Sequence, residues 1–219
     1  MKTVFGIPKE LKTDETRVAL TPDCISMLVA DGYEVLVETN AGKLSGFSDD
    51  QYVQSGAKII DTAKELWELA NVIVKVKEPQ KSEYEFFKED QVIFSYMHLA
   101  VEEELTRELL KKKVCAIASE SVETANKELP LLRPMSEVAG RLSIQLGANY
   151  LESVNGGSGV LLGGVPGVQP GKVVILGGGV VGANAAKVAL GMGADVSVLD
   201  INSKRLAELD LLFQGQLKT

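Results

Sequence analysis

KVVILGGGVVGANAAKVALGMGADVSVLD, residues 172–200, decides the fold of this 219-residue chain. An apolar run at 173–176 leads into a glycine-rich turn, a helix-period segment, a second apolar run at 196–199 and a closing acid, Asp200. That order is a dinucleotide-binding unit, with Gly177, Gly179 and Gly182 at G-x-G-x-x-G spacing. Gly177 allows the sharp turn out of the strand, Gly179 lacks the Cβ that would hold a pyrophosphate off the backbone, and Gly182 lets helix and strand pack closely. Val180 and Val181 offer backbone N–H groups, so their side chains are free to vary. The positive end of the helix dipole faces the phosphates, and no basic side chain is required there. A glycine-rich turn in some other α/β sheet is the bland alternative. The strand before the turn and the acid after it favour the dinucleotide.

Asp200 also bears on which dinucleotide. A carboxylate ending the second strand accepts hydrogen bonds from both adenosine ribose hydroxyls, which suits NAD. A 2′-phosphate would meet like charge, at a cost of about 4 kcal/mol per unit charge pair at about 4 Å and an effective dielectric near 20, before screening. Arg205, in the first turn of the next helix, is placed to neutralise a phosphate, or simply to pair with Glu208 on the surface.

The composition is that of a globular protein: 45% hydrophobic, 24% charged, formal net charge −7. The acidic balance argues against a nucleic-acid surface, and the longest basic run, Lys111-Lys112-Lys113, reads as a solvated helix end. MKTVFGIPKE has no apolar signal region, and no stretch offers eighteen apolar residues without glycine or charge, so we expect no membrane partner and a cytoplasmic location. Cys24 and Cys115 lack C-x-x-C spacing and sit in apolar segments, which reads as two reduced core residues rather than a disulfide or zinc pair. No metal site is expected.

Before the fingerprint, strand-like runs at 4–7, 35–37, 59–60, 72–76, 92–97 and 114–118 alternate with helix-like segments at 22–30, 49–55, 63–69 and 102–110. This βαβ alternation predicts a parallel sheet with helices on its faces. Thr21-Pro22 reads as N-cap and first helical residue. A helix-period connector spans 136–154, and 155–171 reads as loop. The fold class is therefore α/β: a substrate domain over 1–132, then a linker helix and partial Rossmann domain over 133–219. A doubly wound nucleotide domain needs about six strands, and only the first two are read before Thr219. Its sheet is expected to be incomplete and the chain truncated.

Motifs outside the fingerprint converge on one family. GIPKE and ETRVALTP near the N-terminus, VKVKEP at 74–79, MHLA at 97–100, LPLLRPMSEVAGR at 129–141 and GGVPGV at 163–168 resemble alanine dehydrogenase over the entire chain. The alpha subunit of proton-translocating transhydrogenase shares the G-I-P, T-R-V-A-x-T-P and G-x-G-x-x-G patterns but not KVKEP or HLA. The resemblance implies NAD-dependent oxidative deamination of L-alanine to pyruvate and ammonia, reversible, in a cytoplasmic homo-oligomer, a hexamer in the family. Part of a transhydrogenase, or an inactive NAD-binding or subunit-like module, are the alternatives.

Site residues follow from matching the motifs. Arg17 resembles the family arginine that grips the substrate carboxylate, a task suited to its fork; read without the resemblance it is a solvated loop residue. Lys75 and Lys77 share one face of a strand, charged at its C-terminal end, where open α/β sheets bind ligands. The family pattern selects Lys77 as second substrate contact and leaves Lys75 structural. His98 is the sole histidine. Alone it reads as a hydrogen-bonded residue; by its match to HLA it is the catalytic acid/base, assisted in the family by an aspartate from a later strand that would lie beyond Thr219. Ser136 resembles the serine that touches the cofactor and also reads as the N-cap of the long helix. Glu120, after another strand, is placed to support the substrate lysine.

Overall fold

In the computed structural model, which describes residues 3–219, the short apolar runs of the N-terminal region pair in parallel in the order β3-β2-β1-β4-β5-β6. The strands are β1 Val4–Ile7, β2 Glu34–Glu38, β3 Lys58–Ile60, β4 Val72–Lys77, β5 Val92–Tyr96 and β6 Cys115–Ala118. Helices α1 Pro22–Ala30, α2 Asp49–Gln54, α3 Ala63–Leu69 and α4 Glu103–Lys111 carry the chain back between strands. The β4–β5 connection is instead a 3-10 turn, Lys81–Phe86, which periodicity alone did not reveal. The sheet grows from β1 through β2 to β3 on one side and through β4 to β6 on the other. Strand order therefore reverses at β1/β4, where loops leaving the carboxyl ends diverge and open a crevice.

Both faces of this sheet are covered. Leu36, Leu66, Trp67, Ile73, Ile93, Met97 and Leu105 fill one side, and Ile7, Ile25, Val35, Val37, Tyr52 and Val74 the other. Neighbouring residues of β2 and β4 thus divide between the two cores, as pleat alternation requires. Ser48 starts α2 with a reciprocal capping box to Gln51, and Thr62 caps α3 by accepting from the Glu65 N–H at 3.3 Å. Thr21 holds the N-cap position of α1 with Pro22 behind it, but its hydroxyl turns to Cys24 Sγ and makes no cap hydrogen bond.

The chain divides into two compact units, Met1–Asn126 and Lys127–Thr219. In the second, β7 Lys172–Leu176 and β8 Asp195–Leu199 pair in parallel from Lys172↔Asp195 to Leu176↔Leu199. Lys218 bridges Ser197 in parallel, its N–H donating to Val196 O at 2.9 Å, so a third strand position beyond β8 is already occupied. Helices α5 Leu132–Leu151, α6 Val180–Gly191 and α7 Ser203–Leu212 complete the unit. Its core gathers Ile144, Ile175, Ala185, Ala186, Ala189, Val196, Val198 and Leu209. A Cβ at Gly140 would strike the Val181 carbonyl, so α5 and α6 touch through bare backbone there.

Two expectations are corrected. Ser136 is not an N-cap: α5 begins at Leu132, a full turn earlier. Pro134 falls in that first turn, where no intrahelical acceptor exists for the N–H it lacks, so it starts the helix rather than blocking it. Cys24 and Cys115 are exposed free thiols, not core residues. Cys24 lies beside rather than on the face of α1 that buries Ile25, and β6 is an edge strand.

Trp67, the sole tryptophan, is fully buried in the first unit and reports on it alone. Leu105→Ala, at a site with no solvent exposure, is expected to lower that unit's unfolding free energy by about 2–5 kcal/mol, read from urea denaturation followed by Trp67 fluorescence.

Candidate functional site

The segment leaving β1 crosses the crevice at the carboxyl ends of β1 and β4, and its acids anchor it there. Between Val74↔Phe94 and Lys77↔Tyr96, β4 carries one residue more than β5. This bulge frees main-chain N–H groups from the ladder and re-aims Lys77. Glu10 takes up the freed groups: Val76 N–H donates to its Oε1 at 2.6 Å and Lys77 N–H to its Oε2 at 3.3 Å. Lys75 is buried behind them, its Nζ 3.3 Å from Glu10 Oε2 and 3.1 Å from Glu83 Oε1. The angles there are poor for hydrogen bonding, so charge rather than direction holds this triad. With two carboxylates facing one ammonium, burial pushes the Glu83 carboxyl up despite Lys75. Lys75 is thus enclosed, and the expected charged face of β4 reduces at its end to Lys77. Lys12 adds an ion pair to Glu78, just past β4.

Arg17 follows on the same loop. Glu15 accepts from Arg17 Nε at 2.8 Å and Nη2 at 2.6 Å, and from the Arg17 main-chain N–H at 2.9 Å. The Glu15 side chain is 6% exposed and that of Arg17 46%, so the acid is the fixed partner and the guanidinium the presented one. Hydrogen bonding from Arg17 is the main reason the Glu15 carboxyl lies below its ordinary range; partial burial opposes this and Lys77 adds to it. A cleft of about 390 Å³ opens beside Arg17, lined also by Lys9, Glu10, Glu15, Asn40 and Lys43. Lys77 and His98 do not line it.

His98 comes two residues after Tyr96, the register partner of Lys77, and its side chain is exposed. Glu120, which follows β6, accepts from the Met97 N–H at 3.1 Å and the His98 N–H at 2.7 Å. It supports the histidine's backbone, not the substrate lysine as the sequence suggested. Burial raises the Tyr96 hydroxyl pKa, with Arg17 opposing and Glu120 adding, which places both charges within electrostatic reach of β5's end. Arg17, Lys77 and His98 therefore issue from the carboxyl ends of neighbouring strands.

In the second unit the fingerprint residues come together. Ser136, Gly177, Gly179, Val180, Val181 and Gly182 line one cleft of about 520 Å³. Gly177 sits at φ +97°, and a Cβ on Gly182 would run into the Gly177 carbonyl. At Gly179 a Cβ would project into open space, which is the room a phosphate needs. Asp200 lies outside this cleft and stitches the turn from behind: Gly178 N–H donates to Oδ2 at 2.6 Å and Asn202 N–H to Oδ1 at 2.8 Å. These main-chain donors, Asn202 first, hold its carboxyl below the usual range. Each oxygen keeps acceptor capacity for a ribose hydroxyl. Arg205 donates to Gly178 O at 2.6 Å and pairs with Glu208 at 3.0 Å, so it serves the turn and the surface at once. The open face at Gly179 and the spare acceptor capacity of Asp200 fit a dinucleotide's pyrophosphate and ribose.

Sequence reasoning overlooked Glu10, Glu15, Gly178 and Asn202. Gly178 had a visible signal, the unbroken Gly177-Gly178-Gly179 run; a Cβ there would press on Leu209 Cδ1 at 2.7 Å. Among the described residues no group of histidine, cysteine and acids could hold a metal, and no helix is long and apolar enough to cross a membrane.

Family models match nearly the full length: the alanine dehydrogenase/PNT N-terminal domain over residues 6–139 and the corresponding C-terminal domain over 143–219. The chain belongs to the alanine dehydrogenase/PNT family. It is 56% identical to an alanine dehydrogenase of Methanococcus maripaludis over 216 residues and 55% identical to one of Staphylococcus epidermidis over 215. It spans 58% of the length of each of these alanine dehydrogenases, and 99% and 98% of itself is covered. A solved L-alanine dehydrogenase superposes with TM-score 0.93 at 52% identity, covering 99% of this chain and 60% of that one. A transhydrogenase from Sinorhizobium meliloti gives 0.81 at 25% identity, covering 98% and 63%.

For this member of the alanine dehydrogenase/PNT family, the depressed Glu15 carboxyl fixes a pH dependence. The stability it contributes is complete above the ordinary value of 4.5 and is lost as pH falls through its lower folded value. Glu15→Gln is expected to be less stable than the parent at about pH 7 and to lose less on acidification to about pH 3, in thermal melts followed by Trp67 fluorescence.

Proposed function

We propose that this chain serves NAD-dependent oxidative deamination of L-alanine to pyruvate and ammonia, with the reverse amination open to it. What supports the reading is that Arg17, Lys77 and His98 follow or end β1, β4 and β5, three adjacent strands at and beside the strand-order reversal. Arg17, held by Glu15, offers a planar fork to the substrate carboxylate. Lys77, aimed by the bulge, is the second contact and stabilises negative charge on the carbonyl or carbinolamine oxygen. In the deamination direction His98 takes a proton from the water that adds to the imine carbon. It returns one to the carbinolamine nitrogen, so that ammonia leaves as the oxygen gives up its own proton and becomes the pyruvate carbonyl. NAD, when bound, supplies the hydride acceptor. The amides of Val180 and Val181 and the open face of Gly179 receive its pyrophosphate, Asp200 its adenosine ribose, and Ser136 lies along the same cleft. Arg205 steadies the turn.

Exposed apolar residues on α5, namely Val138, Leu142, Leu146 and Tyr150, recur every four residues and support a homo-oligomer, hexameric by likeness to the family. We place its work in the cytoplasm.

The transhydrogenase reading is weaker, because likeness falls from 52% to 25% identity between the two solved structures. An NAD-binding module without turnover is favoured only in that the second unit alone holds the whole fingerprint.

Calorimetry separates these. NAD is expected to bind this chain, Asp200→Ala to weaken it about tenfold or more, and NADP to bind worse than NAD; equal affinity for the two would overturn the role given to Asp200. In the Methanococcus maripaludis relative, changes matching Arg17→Ala should raise KM for alanine, and those matching His98→Ala should lower kcat by about 10²–10⁴. Unchanged rates would remove both assignments.

A further inference from the structure

His98 has φ +50°, in the left-handed region that costs an L side chain about tenfold in equilibrium constant or more. The other described residues with a side chain and positive φ are Asp14, Asn40, Asp90, Lys113, Lys127 and Gln214. Asp14, Asn40 and Asp90 are of types that tolerate it, and Lys113 and Gln214 each follow a helix C-cap. Histidine is itself enriched in this region, which lowers the cost without removing it, and His98 follows a strand rather than a helix end.

The cause is visible on both sides of the residue. Met97 and His98 turn successive N–H groups toward one carboxylate, that of Glu120, at 3.1 and 2.7 Å. An extended strand points successive N–H groups in opposite directions, so the chain has left the strand here to form an anion-holding concavity. Beyond His98, its carbonyl accepts from Val101 N–H at 3.0 Å and Glu102 N–H at 3.3 Å, which fixes the following peptide plane. The left-handed φ is the joint between two clamped planes. We infer that Glu120 is a positioning residue that holds His98 in this conformation and thereby sets the direction of the imidazole. The inference rests on the reading of His98 as the acid/base.

Since His98 is the only histidine, selective ¹⁵N-histidine labelling of the chain gives one backbone amide signal. The charge-assisted bond should place that proton downfield, Glu120→Gln should move it upfield, and Glu120→Ala should move it further. The second readout is a double-mutant cycle on folding of the first unit, followed by Trp67 fluorescence. With Glu120 present, His98→Gly relieves the strained joint. With Glu120→Ala the joint relaxes by itself, and His98→Gly only adds chain entropy. The effect of His98→Gly on the folding constant should differ by about tenfold between the two backgrounds. Should Glu120→Ala fail to fold, Glu120→Gln takes its place in the cycle, with a smaller difference of the same sign. An equal effect in both backgrounds, or an amide signal indifferent to Glu120, would overturn the inference. Either result leaves the catalytic reading to be judged separately, by turnover in the relative altered at the position of His98.

Discussion

Main-chain N–H groups captured by side-chain carboxylates are the contacts on which both clefts depend. At the carboxyl end of a parallel sheet the chain must leave the ladder, and each departing N–H needs a new acceptor or costs its desolvation. Glu10 receives Val76 and Lys77, Glu120 receives Met97 and His98, and Asp200 receives Gly178 and Asn202. A hydrogen bond to a charged acceptor contributes about 1.5–3 kcal/mol, enough to hold a loop in one conformation. Buried anions bring their own cost, and the fold meets it locally: Lys75 faces Glu10, and Arg17 faces Glu15.

This device explains how a rigid sheet presents chemistry at its rim. The bulge in β4 redirects Lys77 but leaves N–H groups unpaired; Glu10, 66 residues earlier, completes them. The left-handed turn at His98 would be costly alone, and a carboxylate 22 residues later sustains it. In the second unit Asp200 closes the glycine turn while the opposite side, at Gly179, stays open. Fixed acids stand behind the fork of Arg17 and the backbones of Lys77 and His98.

Much of this was legible from periodicity. β1, α1 and α3 fall where the apolar runs place them, because local pattern and burial agree there. The start of α5 was not, since a proline within its first turn reads equally as a boundary. The thiols were misjudged because an apolar neighbourhood in sequence does not say which face of an element is covered, and both lie where nothing covers them. The glycine fingerprint was readable because its parts are close in sequence. Glu10 and Glu15 were not, because an acid among polar neighbours looks solvated until the strand end it serves is brought beside it. Glu120 was noticed, yet its partner is a backbone, which no side-chain pattern can reveal.

Amide hydrogen exchange on the ligand-free chain tests the central claim most directly. The account predicts that Val76, Lys77, Met97, His98 and Gly178 exchange as slowly as residues within the strands, since carboxylates already hold their protons in place. Exchange of these amides at the rate of open loops would show that the rims of both clefts are not fixed by Glu10, Glu120 and Asp200, and would contradict it.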